Sequence, residues 1–253
     1  MTRIESRDNA RIKRVARLLL SSAARRDEGL FVCEGPTMLR EALGAGVDIT
    51  EVYALPEQRE LIEGIRAPCF EVTGPVLRKL SDTDTPRGPV FVCRIPAPRP
   101  PQGGQFLALE EVRDPGNMGT VFRTAEALGL PEVVRIGPCV DLYAPKTVRS
   151  TMGSIFRVRT CVMTAEELRA LTKKRGLPLI GAALSAGAKS IEKVDLRHAA
   201  VLIGSEAHGL RPETLELCDE HAIIPIEGAE SLNAAVAAAI FLWEMKKARG
   251  SSC

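Results

Sequence analysis

The chain has 253 residues, 45% hydrophobic and 26% charged, with a formal net charge of +2, a size that fits one large domain or two modest ones with a real core. The composition is that of an ordinary soluble globular protein and excludes a membrane-spanning chain, because no apolar run approaches a bilayer's width. The first residues, MTRIESRDNARIK, lack the apolar segment of a secretory signal, so a cytoplasmic protein is expected.

The charge is unevenly placed. Residues 1–26 hold eight Arg or Lys against two acids, a local +6, which leaves −4 for the rest. Within NARIKRVARLLL (9–20), helical spacing puts Ile12, Val15, Ala16 and Leu19 on one face, with Lys13, Arg14 and Arg17 on the other. That second face is either a solvated helix surface or, with Arg7 and Arg11, a basic arm open to phosphates; charge alone leaves both readings standing.

An alternating series follows. LFVC (30–33), EVYAL (51–55), CFEV (69–72) and VFVCRI (90–95) read as strands. PTMLREALGAG, PEQRELIEGI and PVLRKLSD between them read as helices, the first opened by proline and closed by glycine. Residues 1–95 are thus an α/β domain. PAPRPPQGG (96–104), with four prolines and two glycines, cannot continue a helix or a central strand and is a linker.

Residues 105–253 start a second α/β series. FLALEEV (106–112) is a strand, followed by a helix in DPGNMGTVFRTAEALG. EVVRIG (132–137) is a strand, APKTVRSTMGSIF a helix, 157–162 a strand, and AEELRALTKKRG a helix with normal stop signals. PLIGAAL, AVLIG and AIIPI are short apolar strands of the buried parallel type. The chain ends in a long helix, SLNAAVAAAIFLWEMKKAR.

The phosphate-cradling GxxxxGK[ST] loop, a GxGxxG after a strand and a GxSxG elbow are all absent, which lowers the usual nucleotide and acyl chemistries. The seven cysteines form no CxxC and read as free thiols; the histidines 198, 208 and 221 have no ligand spacing, so no metal is expected. Three marked segments remain, each after a strand. In NMGTVFR, the residues Met118, Val121, Phe122, Ala125 and Leu128 make an apolar face. Arg123 stands opposite, among Gly119, Thr120 and Ala127. It is either a surface arginine paired with Glu126 at i+3 or a charge kept clear for a ligand. In GSEAHGL, the chain turns at Gly204 after a buried strand, at the edge where α/β ligand sites form, with Glu206 in the turn. In IPIEGAESLNAAVAAA, Ser231 is a natural N-cap. The helix beyond is apolar on two sides: Leu232, Val236, Ile240 and Trp243, then Phe241 and Met245. Its second burial could be a subunit interface.

These three segments, in this order, resemble the motifs of the SpoU (TrmH) family of RNA methyltransferases, of the SPOUT class. SRDNARIKRVARLL and GLFVCEGPTMLREAL resemble that family's substrate-binding domain. The resemblance implies an α/β catalytic domain with a deep trefoil knot, an N-terminal ribosomal-protein-L30e-like domain, and a homodimer formed through the C-terminal domain. It implies transfer of a methyl group from S-adenosyl-L-methionine to a ribose 2′-hydroxyl of RNA, 23S rRNA ahead of tRNA, with a non-catalytic RNA-binding knotted dimer as the alternative. Carried over by position, Arg123, Asn117, Glu206, Ser231 and Asn233 are the expected catalytic set, and Gly204, Ile224, Ile226 and Leu232 the cofactor contacts. Arg7, Arg11, Lys13, Arg14 and Arg17 are the expected RNA contacts. Two departures are mild: Ala207 and His208 stand where the second motif often reads GSEGxG, and SLNAAVA stands where the third often reads SLNVSVA; neither puts activity in doubt.

Overall fold

The computed structural model describes residues 1–185, 187–228 and 231–250. The chain falls into two compact units: Met1–Ala97 with Asp141–Phe156, and Pro98–Val140 with Arg157–Cys253.

In the first stretch come β1 (Thr2–Ile4), α1 (Ala10–Leu20), α2 (Ser22–Glu28), β2 (Leu30–Glu34), α3 (Pro36–Gly44), β3 (Ile49–Ala54), α4 (Arg59–Ile62), β4 (Cys69–Val72), α5 (Gly74–Lys79) and β5 (Val90–Arg94). They form a five-stranded sheet, β1-β4-β3-β5-β2, in which β5 runs antiparallel to both neighbours. β1 is an addition to the expected strands. Helix α1 starts at Asn9, whose side chain accepts from Arg11 N. Its buried residues are Ile12, Val15 and Leu18. The inward face is therefore turned from the expected one: Leu18 is fully buried in the core in place of the smaller Ala16, while Leu19 packs at the core's margin.

The chain then enters the second unit with β6 (Phe106–Glu110), α6 (Pro115–Ala127) and β7 (Glu132–Ile136). It returns to the first with α7 (Pro145–Ser150). APKTVRSTMGSIF is not one helix. Met152 and Gly153 take positive φ, 50° and 96°, which breaks it before a short 3₁₀ turn over Ser154–Phe156. Gly153 also leaves no room for a side chain, since a Cβ there would lie 2.8 Å from Cβ of Glu41. The returning segment is seated inside the first unit. Arg25, buried, binds Asp141 through Nε and Nη2 at 3.1 and 2.7 Å, and the Phe31 ring meets Tyr143 with centroids 4.9 Å apart.

The second unit resumes with β8 (Arg159–Met163), α8 (Ala165–Arg175), β9 (Leu179–Ala182), β10 (Lys189–Ser190), β11 (Ala200–Ile203), α9 (Pro212–Leu215), β12 (Glu220–Ile223) and α10 (Ala234–Ala248). Helix α8 opens on a capping box: Thr164 Oγ1 accepts from Glu167 N, and the Glu167 carboxylate accepts from Thr164 N. The sheet is β10-β12-β9-β11-β6-β7-β8, every pairing parallel. The fold of this unit is thus α/β with a parallel sheet. Its central strands β6 and β11 are buried at every residue, as continuous apolar runs require. Strand β12 lies two residues earlier than AIIPI suggests. It pairs Glu220, His221 and Ala222 with β9, and Pro225, without an N–H, stands beyond its end. No helix among the described residues is long and apolar enough to cross a membrane.

The six described cysteines are free, Cys33, Cys93 and Cys161 buried and Cys69, Cys139 and Cys218 partly so; Cys253 lies outside the described residues.

Candidate active site

Parallel strands deliver their carboxyl ends to one edge of a sheet, where backbone groups and loop starts converge. Here the ends of β9, β11 and β12 surround a cavity of about 450 Å³, closed on one side by α10. Gly204, Ile224, Ile226, Ser231, Leu232 and Glu206 all line it. So do Ala182, the last residue of β9, and Ala183 and Leu184 after it, which the motif reading did not single out. The missed signal was the run PLIGAAL, a buried strand ending in small residues.

Gly204 is dictated by crowding. A Cβ at that position would sit 2.1 Å from the carbonyl carbon of Gly209 and 2.3 Å from Leu210 N. The loop doubles back on itself: Ser205 N donates to Gly209 O and Gly209 N to Ser205 O, both at 3.0 Å. Gly209, at φ 67°, supplies the left-handed residue that this return needs. His208 is exposed at the tip.

Beside the cavity a polar chain links all three motifs. Asn233 Nδ2 donates to Asn117 Oδ1 at 3.0 Å, and Asn117 Nδ2 donates to Glu206 Oε1 at 2.5 Å. Both asparagines are also fixed at the start of their helices. Asp114 caps α6 by accepting from Asn117 N at 2.8 Å. Asn233 Oδ1 accepts from Ala235 N and Val236 N at 2.9 and 3.2 Å, so Asn233 caps α10. This corrects the N-cap expected at Ser231, which stands exposed three residues before the helix. Asn outranks most caps because its short side chain reaches N2 and N3 together.

Arg123 is exposed and does not line the cavity. The pairing with Glu126, one of its two readings, is not among the ion pairs of the described residues; Glu126 binds Arg157. Thr120 and Ala127 are exposed on the same side of α6, while Gly119 is buried. The arginine therefore projects from an open stripe of small residues.

Helix α10 presents three faces. Ala234, Ala237 and Phe241 border the cavity, Ala238, Leu242 and Met245 are buried, and Val236 and Trp243 are 48% and 50% exposed.

The basic arm is largely engaged within its own unit. Arg11 binds Glu51 at 2.5 Å, Arg14 reaches both Glu28 and Glu51, Arg17 binds Glu28, and Lys13 binds Asp8. Glu28 is held below the ordinary carboxylate range despite partial burial, because Arg17 and Arg14 both hydrogen-bond it. The polar face of α1 is not the unpaired surface its sequence suggests; Arg7 is exposed.

Compared with known proteins, residues 104–243 match the model of the SpoU rRNA Methylase family, and residues 9–90 that of the MRM3-like substrate binding domain. The chain is 32% identical to the 23S rRNA (guanosine(2553)-2′-O)-methyltransferase RlmP of Bacillus subtilis, over 97% of this chain and 100% of that protein. It is 31% identical to the 23S rRNA (uridine(2479)-2′-O)-methyltransferase of Streptomyces viridochromogenes, over 98% and 92%. Among solved structures, the AdoMet-bound rRNA methyltransferase from Sinorhizobium meliloti superposes with a TM-score of 0.88 at 28% identity, covering 97% of each chain.

Proposed function

The chain belongs to the SpoU rRNA methylase family, and from that premise we propose that it is an S-adenosyl-L-methionine-dependent ribose 2′-O-methyltransferase acting on 23S rRNA in the cytoplasm. The observation that carries the reading is the Asn233–Asn117–Glu206 chain, which brings the polar residues of three separate motifs to the rim of one cavity.

The cavity fits the donor. Its volume lies in the range of small-molecule sites, and its walls combine half-buried aliphatic side chains (Ile224, Ile226, Leu232) with the strand-end backbone at Gly204. Apolar walls with backbone polar groups suit a purine, and the Glu206 carboxylate at the rim complements a cation. Bound there, S-adenosyl-L-methionine supplies an electrophilic methyl group on a sulfonium, whose departure needs no proton.

The harder task lies with the acceptor hydroxyl, a weak nucleophile that must be aligned and relieved of growing negative charge. Arg123 suits this role as a fixed cation. A guanidinium hardly ever gives up its proton, so it stabilises the oxygen electrostatically while the hydroxyl's proton passes to solvent, and it does not act as base. Asn117 and Glu206 shape the site, and Ser231 and Asn233 stand where the reacting groups meet. Because Arg123 does not line its own chain's cavity, the substrate ribose or a second copy must bring the two together. We therefore read the protein as a homodimer joined through the exposed stripe of α10. A deep trefoil knot in the second unit is supported by its match to the SpoU family, and an L30e-like fold of the first by its mixed sheet and its match to a substrate-binding domain. On that unit Lys13 and Arg17, each more than half exposed, are the arm residues best able to trade their carboxylates for phosphates, with Arg7 beside them and Arg11 and Arg14 framing the surface.

The test is direct. Unmodified 23S rRNA and bulk tRNA are incubated separately with the protein and donor labelled in its methyl group, then digested to nucleosides. A labelled 2′-O-methylnucleoside from the rRNA arm is expected. Label from tRNA alone would move the substrate, and none from either would overturn the reading.

A further inference from the structure

The loop over 204–211 forms one wall of the cavity, and the β6–α6 connection grips it at both ends. At one end is the Asn117–Glu206 bond. At the other is Glu110, the last residue of β6, whose carboxylate is fully buried. Burying a carboxylate is costly unless its lone pairs are filled. Here three donors fill them, two from the loop's last residue and one from α9 just past it: Arg211 N at 2.9 Å, Arg211 Nε at 2.9 Å and Thr214 Oγ1 at 2.6 Å. The next residue, Glu111, adopts φ 52°, rare for a residue with a side chain, and its carboxylate lies 3.8 Å from Arg211 Nε. Between the two grips run Gly209, whose backbone abuts Gly204, and Leu210, which lines the cavity.

We infer that Glu110, through Arg211 and Thr214, is a positioning residue that sets the shape of the 204–211 loop, so that affinity for the methyl donor depends on a buried carboxylate outside the cavity lining. The inference rests on the reading of the cavity as a donor site. A carboxylate serving only the fold would gain the same burial from donors anywhere in the unit. This one takes all three from the segment that leaves the cavity, two residues after the glycine that crowds Gly204.

The experiment measures donor affinity by titration calorimetry on the full-length protein, with RNA affinity measured in parallel. Glu110→Gln should raise the Kd for S-adenosyl-L-methionine about tenfold or more, with RNA binding unchanged. Arg211→Lys, which keeps the charge but loses the fork, should raise it less, and Thr214→Val least. A merely unfolded fraction would lower the binding stoichiometry and leave Kd alone, so the two effects separate. Wild-type Kd in folded Glu110→Gln overturns the inference. If that variant does not fold, wild-type Kd in both Arg211→Lys and Thr214→Val overturns it. Failure of the unaltered protein to bind the donor overturns the donor-site reading, and the brace falls with it.

Discussion

Arg123 shows how little a single residue's periodicity can settle. On the helix wheel it is a surface charge near Glu126, and the structure does leave it on the surface. What weakens the ordinary explanation is that Glu126 binds Arg157, while Arg123 forms no ion pair with it among the described residues. An arginine among small exposed residues has its charge available for a substrate. Arg123→Ala should retain donor affinity and lose about 10²–10³ in kcat, the usual effect of removing one group that stabilises a developing oxyanion. Calorimetry with the donor and single-turnover methylation measure the two halves, and equal losses in both would place the arginine in ground-state binding. Cys218 yields a pH prediction. Burial, and then the neighbouring Asp219 carboxylate, push its thiol up to about 12. The folded protein thus keeps it protonated well above the usual thiol range, with about one part in ten thousand as thiolate at pH 8. Its alkylation rate, followed by peptide mass spectrometry, should go on rising past pH 10; a plateau near pH 8.5 would contradict the burial.

Among the elements, α10 carries the most, and its first turn separates two roles of one side chain. Asn233 caps the helix through Oδ1 and joins the motif chain through Nδ2. Asn233→Asp keeps a good cap and loses the donor to Asn117, so activity should fall while the melting temperature holds. Asn233→Ala loses both, at a cost of about 1 kcal/mol, or about 2–4 °C in a chain of this size. Thermal melts beside methylation rates distinguish them. The apolar all-round composition of this helix was legible in the sequence, and so were the central strands of both sheets, since buried strands are continuous apolar runs; β1, buried only at Ile4, was not. The register of β12 was not. Its pairing residues Glu220 and His221 are polar, while the more apolar Ile224 and Ile226 serve the cavity. The short edge strand β10, with Lys189 and Ser190, has no hydrophobic pattern to detect. The motif residues stood out as polar groups in apolar surroundings, but their bonding did not, because Asn117 and Glu206 are 89 positions apart. Glu110 was readable only as an acid at the end of an apolar strand; its partners lie about a hundred residues away.

At the scale of the whole molecule, the chain passes between its two units three times, because Asp141–Phe156 is built into the first. Sequence order hides this, since the segment lies inside the stretch that matches the methylase family. The exposed stripe of α10 sets the remaining question of assembly. Val236 and the protein's single tryptophan, Trp243, are about half exposed on a helix whose other faces are occupied. A second copy covering that stripe would shield the indole, so dilution should shift tryptophan emission to the red as the dimer dissociates. Trp243→Lys should sediment as a monomer. The same assembly predicts how the active site is shared. If Arg123 of one copy serves the cavity of the other, Arg123→Ala and Glu206→Ala proteins, each inactive alone, complement when mixed. In the mixed dimer one site inherits both substitutions and the other inherits neither, so methylation returns to a fraction of the wild-type rate as subunits exchange. If each copy uses its own arginine, every site in the mixture carries one substitution and no activity returns.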